Sequence, residues 1–347
     1  MKKLIFSLVM LIGVVGYAQD IRGPIANPAP GVLDGVYVKE HIPTKKVIPY
    51  EYVREADVVW SKRIWRVIDL REKFNHPLYY PLDDLQEGMW KKNTTRWSLW
   101  TVIRHHVLTG DLTVYSPYNP DWEAWKDGDM FKYPIVPNTP GGNYYTDKDF
   151  RERMFIYIGT EKIDPFAEAL KSTEDPSMDS LVCFDAAGMP VTMWEAGNPG
   201  ITCTTVYPPS DTVWYMSGDI VQYRIKEDWF FDKERSVLDV RIIGIAPVIY
   251  ATNEKGDITG FEELFWLYFP ECRYVFQNFF VQSRHNDAQR MSFDDLFWKR
   301  MFQSYVVKQT NLYDRDIDSY KAGVDALLES ERIKDKIFIF EHDLWSF

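Results

Sequence analysis

The chain has 347 residues, of which 46% are apolar and 16% aromatic, and carries a formal net charge of −11. Apolar content of this order excludes an intrinsically disordered chain. The acidic balance argues against a nucleic-acid partner and against an electrostatic grip on anionic lipid, and the length allows one large domain or two smaller ones.

The chain opens as an export signal. Lys2 and Lys3 form a positive n-region, and residues 4–15 an apolar h-region of about a dozen residues. Gly16 and Ala18 are small where a signal peptidase reads, so residues 1–18 are expected to be removed between Ala18 and Gln19. A dozen apolar residues cannot cross a hydrocarbon core that needs about 20. No cysteine lies near the cut, and no later apolar run reaches spanning length without charges or prolines. The mature chain, residues 19–347, is therefore expected to be soluble, without its own lipid anchor or membrane span.

Residues 19–49 hold Pro24, Pro28, Pro30, Pro43 and Pro49, with Gly23, Gly31 and Gly35 among them. Such a segment cannot run as a helix or a central strand and is expected to be an extended arm. It also carries Ile21, Ile25, Val32, Leu33, Val36, Tyr37 and Val38, more apolar surface than a pure spacer needs. These residues are candidate partner contacts, reached by extended-segment docking.

The body is expected to be one domain, residues 50–347. Ala56, Val59, Trp60, Ile64, Val67, Ile68 and Leu70 fall mostly at three-and-four spacing, which predicts a helix over 54–74 stopped by Pro77. A second helix is predicted over 94–108, with Gly110 ending it. The first of this pair is locally basic, through Arg54, Lys62, Arg63, Arg66, Arg71 and Lys73. Arg63 and Arg66 on an outward face are candidates for meeting an acidic neighbour. An ordinary solvated face is the competing reading.

Residues 111–143 are rich in Pro, Gly and Trp and read as loops with short strands such as 112–115. A short strand follows at 155–158 and a short helix at 165–171. Strands are predicted at 182–184, 191–193, 202–207, 220–225, 237–245 and 264–268, with a turn at 253–257. The C-terminal part is predicted to be helical: 270–280, then 293–307 capped by Ser292 with Asp294 and Asp295 at its positive end, then 319–332 capped by Asp318. The order predicts an α+β fold: extended N-terminal arm, helix pair, central mixed or antiparallel sheet, C-terminal helix cluster.

Motifs that carry chemistry are weak throughout. His105 and His106 are adjacent, so on a helix they diverge, and the spacing of a helical metal pair is missing. His285 has no second histidine or cysteine near it in sequence. Asp314, Asp316 and Asp318 alternate as in a calcium loop, but Ser319 stands at the glycine position and Asp325 at the glutamate position. Asp83-Asp84 and Asp294-Asp295 are neighbours rather than facing carboxylates. No nucleophile elbow, phosphate loop or Cys-x-x-Cys occurs. No enzyme is expected, and no metal or cofactor. The cysteines are Cys183, Cys203 and Cys272. After export Cys183 and Cys203 are a candidate disulfide; three buried reduced thiols are the equal alternative.

Three runs carry a resemblance. The first is SKRIWRVIDLREK, from Ser61 to Lys73, followed by HPLYYP, from His76 to Pro81. The second is KEDWFFD, from Lys226, leading into DVRIIGIAP, from Asp239. The third is LYFPECR, from Leu267, followed by RHNDA, from Arg284, and SFDDLF, from Ser292. Together they resemble the gliding motility protein GldN family, called PorN in non-gliding relatives, a component of the type IX secretion system of Bacteroidetes. The resemblance implies a periplasmic structural subunit, peripheral to the outer membrane. It would form a ring of many copies with an outer-membrane lipoprotein of GldK or PorK type, and contact the periplasmic shaft of GldM or PorM type. It implies no catalytic residues. A secreted glycan-binding protein or hydrolase is the alternative reading, suited to the high aromatic content.

Overall fold

The computed structural model describes residues 46–86, 89–120, 126–162, 181–184, 190–191, 202–205, 211–253, 257–283, 286 and 291–345. The leader, the arm up to residue 45, the short helix predicted at 165–171 and His285 lie outside the described residues.

In chain order the strands are β1 (Val58–Asp69), β2 (Asp84–Gln86), β3 (Met89–Lys91), β4 (Val114–Tyr115), β5 (Pro134–Ile135), β6 (Gly159–Lys162), β7 (Leu181–Phe184), β8 (Pro190–Val191), β9 (Thr202–Thr205), β10 (Asp211–Trp214), β11 (Gln222–Asp232), β12 (Val237–Thr252), β13 (Ile258–Glu263), β14 (Trp266–Tyr268), β15 (Phe280–Val281), β16 (Met291–Ser292) and β17 (Tyr305–Gln309). The α-helices are α1 (His76–Tyr79), α2 (Leu99–Thr109), α3 (Lys148–Ile158), α4 (Phe269–Phe276), α5 (Phe293–Trp298) and α6 (Val324–Trp345). This is the α+β class expected, built on an antiparallel eight-stranded sheet of order β17-β1-β11-β12-β14-β4-β5, with β13 also paired to β12.

The first predicted helix is corrected. Residues 58–69 form β1, a long strand between β11 and β17. The same apolar residues that sit at helical spacing also fit a period of two, because Trp60, Ile64 and Ile68 share one face of a strand while Val59, Trp65 and Val67 share the other. β-branched and aromatic side chains favour that choice. Lys62 and Arg66, on the face with Trp60 and Ile64, hid the alternation. The second helix of the expected pair is present as α2. Ser98 caps it by accepting from Thr101 N, and Gly110, at φ 85°, ends it.

Three other boundaries differ. Residues 155–158 are the last turn of α3 rather than a strand. Asp147 accepts from the backbone N–H of Asp149 and Phe150 and starts that helix, while Phe150 and Met154 bury one face of it. The helix after Ser292 stops at Trp298, and Arg300 turns the chain with φ 52° into β17. The C-terminal helix begins beyond Gly323, at φ 59°, and runs to Trp345.

The chain divides into two compact units, one made of Met1–Met154 with Met216–Phe347 and the other of Phe155–Tyr215. In the first, β1, β11 and β12 are paired antiparallel along their length. Under the sheet an aromatic cluster joins α4 and α5: Phe269 packs edge-on to Phe297 at 5.3 Å, and Phe276 stacks on Phe297 at 6.0 Å. α6 lies over β1 and β17, where Ile64, Val306, Ile317, Ile333 and Ile337 form a buried cluster. In the second unit β6 pairs β10, and β7 pairs both β8 and β9.

Candidate functional site

The only described part of the arm is its root, residues 46–49 and the stretch that follows. The backbone N–H of Val47 donates to Gln277 Oε1 at 3.1 Å, tying the chain to the end of α4. The Tyr50 ring stacks on Trp298 of α5 with centroids 5.8 Å apart and planes at 22°. The Arg273 guanidinium lies 4.6 Å from the Tyr50 ring and 4.8 Å from the Trp298 ring. It is itself buried, and its Nε donates to Asp294 Oδ1 at 2.8 Å. Arg241 of β12 approaches the Tyr50 ring to 5.3 Å. Glu51 pairs with Arg235 in the β11–β12 turn.

A buried arginine paired to a carboxylate and contacting two rings is a rigid anchor. Burial pushes the Tyr50 phenol up to about 12, although the charges of Arg273 and Arg241 pull the other way. The ring therefore stays neutral across the physiological range. A cavity of about 180 Å³ borders the ring, and one of about 240 Å³, lined by Lys46, Ile48, Gln277 and Asp295, borders Arg273 and Trp298. The arm thus leaves the body at the α4–α5 face, next to open volume. Ile21, Ile25, Val32, Leu33, Val36, Tyr37 and Val38 lie outside the described residues.

Arg63 and Arg66 do not share an outward helical face, because they stand on a strand. Arg63 is exposed and makes a two-pronged contact with Asp228 across β11, at 2.6 and 2.7 Å. Arg66 is turned inward. Its Nε donates to Ser304 Oγ at 2.9 Å and its second nitrogen to the Ser304 carbonyl at 3.1 Å. It also stands 4.0 Å from Glu227, which is fully buried and held by Arg300 at 2.9 Å and by the Trp229 indole at 3.1 Å. Burial lowers the Arg66 guanidinium from its ordinary value while Glu227 raises it.

Arg63 borders a cavity of about 530 Å³, whose wall includes Trp65, Lys226, Asp129 and Lys308. Lys226 is buried and is held by the Asp129 carbonyl at 2.5 Å and the Asp129 carboxylate at 3.2 Å. The Trp65 indole donates to the same carboxylate at 3.0 Å. Lys226 and Lys308 both stand over the Trp65 ring, at 5.7 and 5.0 Å. Lysines and carboxylates pair here.

The family comparison matches a model described as gliding motility associated protein GldN to residues 53–346. The chain belongs to the GldN family. The family places it among the components of gliding motility and type IX secretion, a structural and periplasmic class of protein. No curated protein matches the chain. All three runs that carry the resemblance fall inside the matched region, as does the Arg273–Asp294–Trp298 anchor. Val47 and Tyr50, which dock on that anchor, precede the match.

The remaining motifs have structural placements in this GldN-family chain. His106 Nδ1 pairs with Asp111 at 2.7 Å. Asp83 accepts from Ser217 N at 2.7 Å and from the Trp90 indole at 2.6 Å. Asp314 and Asp316 share Lys308, at 2.9 and 3.8 Å. Among the described residues, no group of three or more His, Cys, Asp or Glu could hold a metal ion, and no helix is long and apolar enough to cross a membrane. Cys272 is a buried free thiol. Cys183 and Cys203 stand directly opposite each other in the β7–β9 register. Sequence reasoning passed over the Tyr50–Arg273–Trp298 anchor; the available signal was Arg273, a cation on a short helix that otherwise presents Phe269, Cys272 and Phe276 inward.

Proposed function

We propose that this chain is a periplasmic structural subunit of the type IX secretion and gliding machinery. It would be exported by residues 1–18 and held at the outer membrane by a lipoprotein of GldK or PorK type. Many copies with that lipoprotein would form the ring, and the ring would contact the GldM- or PorM-type shaft. The family match over residues 53–346 carries this reading. The arm is its capture element: an apolar, proline-rich segment by sequence, whose root is fixed at the α4–α5 face by Val47 and Tyr50.

Co-expression with the lipoprotein is the test. The pair should co-purify as large rings, while the chain alone stays monomeric or a small oligomer. Absence of any complex would sink the reading. Deleting residues 19–45 should weaken capture and leave the circular dichroism of the body unchanged; unaltered capture would remove the arm from the proposal. The glycan-binding or hydrolase reading draws no support from the cavity beside Arg63. The Trp65 ring there carries Lys226 and Lys308 over it rather than an open face for a sugar.

A further inference from the structure

α6 packs one face on the sheet, and among the described residues nothing packs on the opposite face. The packed face is ordinary: Ile333 and Ile337 are buried with Ile64 and Val306, Phe340 stacks on Trp60 at 4.6 Å, and Ser330 Oγ accepts from Val306 N at 2.8 Å. On the outer face Leu327, Leu328, Phe338 and Ile339 are exposed by 53, 61, 68 and 54%, and so is Val324, by 72%, whose mate across Ile333 is the polar His342. At about 100° per residue the first four side chains form one stripe.

The stripe is symmetric about Ile333. Leu327 and Leu328 precede that residue by the same intervals at which Ile339 and Phe338 follow it. The charges between them repeat the symmetry: Glu331 and Arg332 before Ile333, Lys334 and Asp335 after it. When this stripe meets its own copy about a two-fold axis, apolar side chains fall against apolar ones and acids beside cations.

We propose that α6 is a two-fold contact, pairing antiparallel with α6 of a second copy of this chain. In that arrangement Leu327 meets Phe338 of the other copy, and Leu328 meets Ile339. At the centre each acid gains a cation from the opposite helix, Glu331 beside Lys334 and Asp335 beside Arg332. Within one copy Lys334 already reaches Glu331 at 2.7 Å, close to where the contact needs it, while Arg332 stands 3.6 Å from Glu329 and would turn to meet Asp335.

The helix is about 33 Å long, and a face about 10 Å wide gives about 330 Å² per copy. A standard stable interface uses about 800 Å² per partner. The contact is therefore weak between free molecules and is expected to be concentration-dependent. The inference stands on α6 alone and does not rest on the secretion-ring reading.

Sedimentation of the full mature chain over a concentration series tests it. The unaltered chain should enter a monomer–dimer equilibrium. Leu327→Glu or Phe338→Lys alone should each weaken the dimer by at least about tenfold, with circular dichroism unchanged because both side chains face solvent. Mixing the two variants should restore a heterodimer, since antiparallel pairing sets the new glutamate against the new lysine and keeps one native contact. A chain that is monomeric throughout overturns the proposal. So does a dimer indifferent to either substitution, or one lost to both without rescue on mixing. A full chain that is monomeric and dimerises only after residues 19–45 are deleted assigns the stripe to the arm instead and equally overturns it. Loss of lipoprotein capture in the arm-deletion experiment leaves this test untouched.

Discussion

Glu227 shows how single residues here are held by ionic networks rather than by apolar packing alone. It is fully buried, yet Arg300, Arg66 and the Trp229 indole surround it. Removing one partner of such a network leaves uncompensated charge, the costly event at a buried pair. Glu227→Ala is expected to destabilise the fold by about 3–5 kcal/mol in chemical denaturation, far more than truncating the exposed Arg63, whose pair with Asp228 is solvent-screened. Equal losses for the two would contradict this ranking. His106 gives a second test at this scale. Burial holds its imidazole below the ordinary value, against the upward pull of Asp111. The folded state then binds fewer protons than the unfolded state once pH drops below about 6.5. Stability should fall on acidification from that point down to the folded-state value, and His106→Gln should flatten that part of the profile; a flat wild-type profile there would exclude the assignment. The cationic partners of Glu227 were not legible in the sequence, because they are brought in from distant segments: Arg66 from β1 and Arg300 from beyond α5.

Elements were legible where a local rule settles them. Gly110 ends α2 and Ser292 starts α5 because backbone conformation and a nearby hydroxyl suffice. The Ser292 cap is reciprocal, with Asp295 N donating to Ser292 Oγ at 3.1 Å and Ser292 N to Asp295 at 3.3 Å. Ser292→Ala should therefore cost about 1 kcal/mol, read as a shift of the denaturation midpoint; no shift would mean the cap is idle. β1 was illegible because its inward Arg66 breaks a period of two and only its ion partners reveal why it is there. Strand pairing likewise cannot be read from one segment. The register that sets Cys183 opposite Cys203 strengthens the pairing proposed for them. Peptide mapping of the exported protein without reductant should find the two linked, with Cys272 free. The Cys183→Ala, Cys203→Ala double variant should lose about 3 kcal/mol. Three free thiols in the mapped protein would refute it.

At the scale of the whole molecule, the family was legible over the body because long specific runs survive there, while the fixing of the arm's root was not. An extended segment contributes affinity for a partner partly through its residues and partly through how little freedom it has to lose on binding. Tyr50 separates the two contributions. It lies outside the proposed contact residues, yet its stack on Trp298 and its place over Arg273 fix where the arm leaves the body. Tyr50→Ala keeps every apolar side chain of the arm and releases its origin. Capture of the lipoprotein should weaken by about tenfold, or about 1.4 kcal/mol, less than the loss on deleting residues 19–45. Tyr50→Phe, which keeps the ring, should retain capture. If Tyr50→Ala binds as tightly as the unaltered chain while the deletion does not, the arm acts through its sequence alone and the anchor serves only the fold. If the substitution abolishes capture as fully as the deletion, the Tyr50 face is itself part of the partner's footprint.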